Sequence, residues 1–438
     1  MSRIRARYSS AAVLVSIAFV AFGARLAWAL WTAPVPAPFS DAEYYNSVAL
    51  SLAHGEGYAV RFADSGFLPG GPSTVFWPPG YPAFLAAFHW LLGDSLAVAR
   101  MANVLAGTLT VVPVYFIGRR LFSAPAGLLG AAIVAVLPSL VFWTPVLMSE
   151  TFFTFVFACA LALLLYCNRV DGSLRPRMVI IFGLATAVAA LVRGQALVLL
   201  PMAFVWWAMS GASWRQAGLA SASAVLVAAA MLIPWSIRNI AVTDSPILMS
   251  ANLGYNLRIG HAPYSSGHYI LPSDLWDAEP GLPFADREVL FNDLGTRRAL
   301  VYARDRPGRE IGLAGSKIIW LWRPSSDVLH WVSSFGKTPL PDGAWEPLRL
   351  SVDISYFAML LLALCALLGS RMQKGVAFAL LLLVVWTVTH IVFFGEPRYH
   401  LPLLVVIAPM AGAALEKGAH LLSRGLEMPL VDKEPVAT

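Results

Sequence analysis

Apolar residues come in long blocks along this chain, separated by short polar breaks and by two long polar segments. Apolar runs of about 17–25 residues, each long enough to cross the hydrocarbon of a bilayer as a helix, fall at approximately 10–31, 96–118, 124–144, 149–167, 177–192, 194–210, 216–236, 349–369, 374–394 and 398–415. Arg193-Gly194-Gln195 divides the stretch 177–210, which reads either as two spans or as one long bent element. The first run follows Arg3, Arg5 and Arg7, is interrupted only by Arg25, and exceeds the core of a cleaved leader, so it reads as a retained helix.

The polar segments are 32–95 and 237–348. The first opens on Pro34-Val35-Pro36-Ala37-Pro38, a stiff exit from the membrane. A helix is expected from Asp41 to His54, then a Gly/Pro-rich run Gly66–Gly80, then an apolar stretch Tyr81–Leu92 too short to span and so interfacial or re-entrant. The second carries an expected amphipathic helix from about Asp286 to Arg304 and an aromatic stretch Ile318–Trp322 suited to the bilayer surface. The chain thus divides into 1–31, 32–95, 96–236, 237–348, 349–415 and a tail 416–438, of which Met428–Thr438 reads as disordered. The expected architecture is an all-α polytopic membrane protein of about ten transmembrane helices with two long outer loops carrying interfacial helices.

Orientation follows from the basic residues. With the N-terminus inside, every short inner loop holds Arg or Lys (Arg119/Arg120, Arg169/Arg175/Arg177, Arg215, Arg371/Lys374, Lys417/Arg424), and the short outer loops hold only Arg193 and Arg398. Ten spans then put both termini in the cytoplasm and both long segments outside the inner (plasma) membrane. Composition agrees: 58% of the 438 residues are hydrophobic and 13% charged, too little charge to cover a water-soluble surface. The net charge of +6 belongs to these loops, and without a basic run interleaved with aromatics it implies no nucleic acid. Cys159, Cys167 and Cys365 all lie in apolar runs and read as small packing residues.

Charge close to lipid is costly and is therefore paired or functional. Asp41, Glu43, Arg100, Glu150, Arg193, Arg238, Glu396, Arg398 and His400 cluster at the outer ends of the spans. Most have a structural explanation as well. Ser40 with Glu43 fits a capping box, Asp41 suits a helix dipole, Ser149 could cap the helix that Glu150 opens, Arg100 could snorkel, and Arg398 could pair with Glu396. The functional reading makes Asp41 a general base, a group that takes the proton from a hydroxyl as that oxygen forms a new bond. Arginines then take a phosphate or pair with Asp41, and Glu150 holds a metal or touches an acceptor. Arg193 has no acidic neighbour in sequence and needs a partner from elsewhere, for which a lipid phosphate would serve. His54, His261, His268 and His400 lack metal-ligand spacing. No Walker loop, GxSxG, HExxH or Rossmann fingerprint occurs, which disfavours ATPases, serine hydrolases, zincins and nucleotide-sugar enzymes. A lipid-linked sugar transporter or flippase would place polar residues at the midplane, in broken helices or paired repeats, and neither pattern is present. A non-catalytic subunit of an envelope assembly is the other alternative.

An ordered set of short motifs adds to this. Asp41-Ala42-Glu43-Tyr44-Tyr45 through Gly57-Tyr58, Trp77-Pro78-Pro79-Gly80-Tyr81-Pro82, Leu92-Gly93-Asp94, Arg100, Gly118-Arg119-Arg120-Leu121-Phe122, Ser149-Glu150, Leu191-Val192-Arg193, Pro234-Trp235-Ser236-Ile237-Arg238-Asn239, Gly254-Tyr255-Asn256-Leu257 and Arg398-Tyr399 run in order over roughly residues 20–405. This set resembles the bacterial polyprenyl-phosphate-sugar transferases, related to protein O-mannosyltransferases and aminoarabinose transferases, which share the GT-C membrane fold. The resemblance implies a GT-C-like bundle, Asp41 as catalytic base, and arginines holding the carrier phosphate. Arg100 matches most closely, Arg193 and Arg398 more loosely, and Glu43, Tyr45, Glu150 and Arg238 complete the expected substrate-binding set. It implies a polyprenyl-phosphate-linked sugar donor and an acceptor glycan, lipid or protein, met at the lipid bilayer and selected by segment 237–348. No cofactor is assigned. A divalent metal is possible, but many relatives have two adjacent acids where this chain has Asp41-Ala42, which weakens the inference of a bound metal.

Overall fold

In a computed structural model of the chain, residues 2–36, 40–60, 74–169, 171–278, 282, 284–335, 341, 343–368 and 373–426 are described. Most of the Gly/Pro-rich run and the tail Met428–Thr438 lie outside these. The regular elements of the described residues are helices: α1 Ser2–Thr32, α2 Asp41–Ala53, α3 Gly80–Leu92, α4 Leu96–Leu109, α5 Val111–Leu121, α6 Ala124–Val136, α7 Pro138–Phe142, α8 Glu150–Tyr166, α9 Pro176–Val192, α10 Leu199–Met209, α11 Trp214–Thr243, α12 Leu253–Gly260, α13 Ser273–Trp276, α14 Phe284–Asp305, α15 Pro307–Leu321, α16 Val328–Phe335, α17 Trp345–Leu368, α18 Lys374–Val392 and α19 Leu404–Leu426. Two 3₁₀ turns, Gly194–Val198 and Pro397–Leu403, lead into α10 and α19.

Among the described residues six helical stretches are long and apolar enough to cross a membrane: Ser10–Thr32, Leu96–Leu121, Trp214–Thr243, Trp345–Leu368, Lys374–Val392 and Pro397–Ser423. Four shorter apolar helices, Ala124–Val136, Glu150–Tyr166, Pro176–Val192 and Gly194–Met209, occupy the other expected positions. The apolar surface confirms a lipid solvent: Phe19, Leu226 and Leu361 are 73%, 70% and 62% exposed on the long helices, which water would not tolerate over so many turns. This is a multi-pass membrane protein. Cys365 lies on such an exposed face of α17, so it is not the packing residue expected, whereas Cys167 is buried.

Two expected elements differ in form. The run 124–144 is not one helix, because Pro138 has no N–H to bond Val134 and α6 ends at Val136. The carbonyls freed there explain the charge inside the first span. Arg25, 1% exposed, donates from Nη2 to Val134 O (3.0 Å) and from Nη1 to Ala135 O (2.8 Å), at the helix end whose dipole favours a cation. The stretch 177–210 breaks at Arg193, whose backbone is extended (φ −151°, ψ 126°) between α9 and the 3₁₀ turn.

The bundle centre is α8, buried along most of its length and packed against α4, α5, α9 and α10, while α6 and α19 pack on one another and on α5. Small residues let α5, α6 and α19 approach closely. A Cβ on Gly130 would lie 2.6 Å from Pro409 Cα, and one on Gly118 would lie 2.6 Å from Gly127 Cα, the contact that small residues permit between membrane helices.

The helices outside the spans follow expectation more closely than the spans do. α2 begins at Asp41, with Ser40 Oγ accepting the Glu43 N–H (3.3 Å). Segment 284–305 is a single helix, α14, packed on α12, where Gly254 sits directly against the Asn292 carbonyl. Tyr255, Ile259, Leu275, Phe291 and Phe394 form the small core of this layer.

Candidate active site

Asp41 stands at the first position of α2, and Trp77 Nε1 donates to its Oδ1 at 3.0 Å. Trp77 is itself held by stacking on Tyr44, centroids 3.7 Å apart, and edge-on against Tyr45 at 6.4 Å. Asp41 therefore projects from an aromatic platform that joins α2 to the turn before α3. Burial raises its carboxyl above the ordinary aspartate value, with Arg398 and Arg193 opposing the rise and Glu150 adding to it.

The partners of that carboxylate come from three distant stretches of chain. Glu150, 2% exposed at the start of α8, receives Arg193 Nη2 on Oε1 at 2.6 Å and has Arg398 Nη1 3.5 Å from the same oxygen. Arg193 Nε donates to Ser149 Oγ (2.9 Å), so Ser149 anchors a guanidinium and does not cap α8 with its side chain, contrary to the capping expectation. Both guanidiniums lie over the Tyr399 ring at 5.5 Å. The break at Arg193 has a purpose in this geometry: an extended residue between α9 and the 3₁₀ turn turns its side chain across to α8. Arg398 does not take Glu396 as its partner, since Glu396 Oε1 accepts the Tyr269 N–H at 2.8 Å. Among the described residues Arg398 donates no hydrogen bond, and its Nη1 and Glu150 Oε2 are buried without one.

The structure brings Asp41, Tyr45, Glu150, Arg193 and Arg398 into one electrostatic cluster, Tyr45 interacting with Asp41, Arg193 and Glu150. Glu43 lies in the first turn of α2, on the same helix. Arg100 and Arg238 are elsewhere. Arg100 Nη1 donates to the Pro34 carbonyl (2.8 Å) at the end of the first span, and no contact among the described residues joins it to Asp41 or Glu150. Arg238 donates to Thr74 O (2.7 Å) and Tyr58 O (3.3 Å), bracing the two chain points that flank residues 61–73. His400 is buried, with Nδ1 at 2.8 Å from Leu321 O.

Two acids escaped the sequence reading. Asp327, just before α16, senses Arg398 and Glu396, and burial pushes its carboxyl up to about 6. Glu288 of α14 is 1% exposed and accepts the Val75 N–H at 2.7 Å and the Thr74 hydroxyl, so it ties α14 to the segment before α3. Burial pushes it up to about 8. The only sequence signal for Asp327 is an acid within the aromatic stretch Trp320–Trp331.

Among the described residues the donor set does not fit a metal: no group of three or more His, Cys, Asp or Glu converges, and the acid nearest in charge to Asp41, Glu150, is already held by guanidiniums. The cluster can hold a negative group at Arg193 and Arg398, and it can accept a proton at Asp41.

The family model described as dolichyl-phosphate-mannose-protein mannosyltransferase matches residues 77–237, from the Trp77 platform into α11. By sequence, no curated protein matches the chain. Among solved structures, the archaeal oligosaccharyltransferase AglB from Archaeoglobus fulgidus, in complex with an inhibitory peptide and a dolichol-phosphate, is similar at TM-score 0.58 and 15% identity over 96% of this chain and 52% of that one. The same enzyme tethered to an acceptor peptide containing the NVT sequon gives TM-score 0.58 and 14% identity over 96% and 51%. ArnT from Cupriavidus metallidurans bound to undecaprenyl phosphate gives TM-score 0.41 and 18% identity over 97% and 81%. The chain spans about half the length of the oligosaccharyltransferase chains it matches. It thus has the fold of the GT-C membrane glycosyltransferases, with the mannosyltransferase family model covering the stretch that holds Glu150 and Arg193.

Proposed function

We propose that the chain is a glycosyltransferase that moves a sugar from a polyprenyl-phosphate carrier to an acceptor hydroxyl, with inversion, at the outer face of the plasma membrane. The observation that carries this reading is the pair of guanidiniums on Glu150 within electrostatic reach of Asp41. The donor is a lipid, and the acceptor glycan, lipid or protein arrives from water, so the reaction belongs at a span end where both can reach. Asp41 takes the proton of the acceptor hydroxyl as the oxygen attacks the anomeric carbon, and polyprenyl phosphate leaves with the bonding electrons. Negative charge grows on that phosphate, so cations held near it stabilise the transition state more than the ground state. Glu150 and Ser149 hold Arg193 in place, while Arg398 Nη1, ion-paired with Glu150 but without a hydrogen bond, is ready to donate one. The resemblance to the family model and to a neighbour solved with a dolichol-phosphate supports the carrier class. Ten spans with both termini cytoplasmic belong to the same proposal, with 32–95 and 237–348 facing outwards and the latter selecting the acceptor.

The test is release of polyprenyl phosphate by the purified chain from polyprenyl-phosphate mannose and from a panel of other polyprenyl-phosphate sugars, with envelope extract as acceptor source. Transfer that disappears in Asp41→Asn and in Arg398→Gln supports the reading. Undiminished turnover by Asp41→Asn removes the base from the mechanism, and a wild-type chain inert towards every donor refutes the enzyme class.

A further inference from the structure

A second concave site lies away from Asp41 and shares no residue with it. Arg258 of α12, with Arg297, Arg298, Tyr302, Asp305 and Arg306 along α14 and just past its end, line an open concavity of about 440 Å³. Its floor is prearranged. Arg258, 8% exposed, bonds Asp274 Oδ2 through Nε (3.0 Å), and Arg298 Nη1 bonds the same oxygen (2.9 Å). Tyr264 donates to the other oxygen of Asp274. One carboxylate thus fixes two guanidiniums, one of them almost wholly withdrawn from water. At the rim, Asp305 is paired with Arg304 (2.9 Å). The side chains of Arg297 and Arg306 make no hydrogen bond or ion pair with the described residues, although they face the same concavity.

We infer that this pocket binds a dianionic group of the phosphate class, a phosphate monoester or diphosphate. Four arginines line it against one carboxylate, and with Asp274 counted two positive charges remain. A monocarboxylate would leave one of these unmatched, whereas a phosphate matches both and accepts the forked N–H pairs that guanidiniums present. The concavity is open and larger than a bare phosphate, so it leaves room for whatever carries the group, with the Tyr302 ring as an adjoining wall. The inference does not depend on the role of Asp41.

The probe is inorganic pyrophosphate, titrated calorimetrically into the full chain in neutral maltoside micelles at low salt. Arg398→Gln separates this site from the cluster at Glu150, because binding here survives that change. Arg297→Ala/Arg306→Ala alters only exposed side chains, and a thermal melt checks that the variant is folded. Loss of two charge-assisted donors weakens the binding by about tenfold or more, and Arg349→Ala, remote on α17, leaves it unchanged. Adding phosphatidylglycerol to the micelles identifies the source: displacement of pyrophosphate assigns a lipid headgroup, and its failure assigns a water-borne ligand. Absence of saturable binding in Arg398→Gln, or binding unchanged in Arg297→Ala/Arg306→Ala, overturns the site.

Discussion

Asp41 shows how burial and hydrogen bonding divide the work on one carboxyl. Burial raises its proton affinity, which suits a base, while the Trp77 N–H and the two arginines keep the ionised form within reach. The sign for activity follows directly. A base must be deprotonated, so transfer falls as pH drops through the raised value, and the acid limb of kcat/KM lies above the ordinary aspartate value of about 4. Asp41→Asn keeps the oxygen that Trp77 bonds but removes the base, and it lowers kcat by about 10²–10⁴-fold without loss of folded protein, as measured by product release and a thermal melt. Trp77→Phe is the finer test. It keeps a ring against Tyr44 and deletes the donor to Asp41, so the acid limb moves to higher pH by about one unit or less. A limb that moves down or stays in place would show that this hydrogen bond does not hold the ionised form.

Elements deliver these side chains through their interruptions. Arg193 reaches Glu150 because α9 stops and a 3₁₀ turn begins, and Arg398 stands in the 3₁₀ turn that leads into α19. The position of α19 is set in turn by the glycines of α6. Gly130 has no room for a side chain against Pro409 backbone, so Gly130→Leu drives α6 and α19 apart. That overpacking costs about 1–3 kcal/mol or more and lowers both the melting temperature and the transfer rate. Gly23, which has open space around it, is the control: Gly23→Ala leaves the melting temperature equal or higher, because alanine favours the helix. Equal melting temperatures for the Gly130 and Gly23 variants would deny the close approach.

At the scale of the molecule, a lipid-facing bundle carries a smaller layer built on α12 and α14, and Glu288 is a bolt between α14 of that layer and the segment before α3. Its carboxyl titrates near 8 when folded and at an ordinary 4.5 otherwise. The unfolded chain therefore loses this proton first, and the group's contribution is full below about 4.5 and declines as pH rises through about 8. Glu288→Gln cannot ionise, so its melting temperature depends less on pH over that window than the wild type's. Parallel wild-type and variant curves would show that the carboxyl is not held protonated there.

The sequence by itself determined the solvent, the places of the apolar helices and the inventory of charges. Unbroken apolar runs mark a membrane bundle, because backbone polar groups in lipid must be bonded within a helix. Local signals such as Ser40 before Asp41 and the amphipathic pattern from about Asp286 to Arg304 are read by the chain's own neighbours, so they survive in the structure. The expense of charge near lipid also picked out Asp41, Glu150, Arg193 and Arg398 one at a time. Only the tertiary structure decided which of them meet. Arg193 gave no hint of Glu150, 43 residues away, and Arg100, the closest match to the family pattern, turned to the Pro34 carbonyl instead. Asp327 and Glu288 were overlooked because an acid in a polar segment costs nothing until folding buries it. Pairing between distant side chains is fixed by how helices pack and where they break, and no periodicity along the chain encodes that.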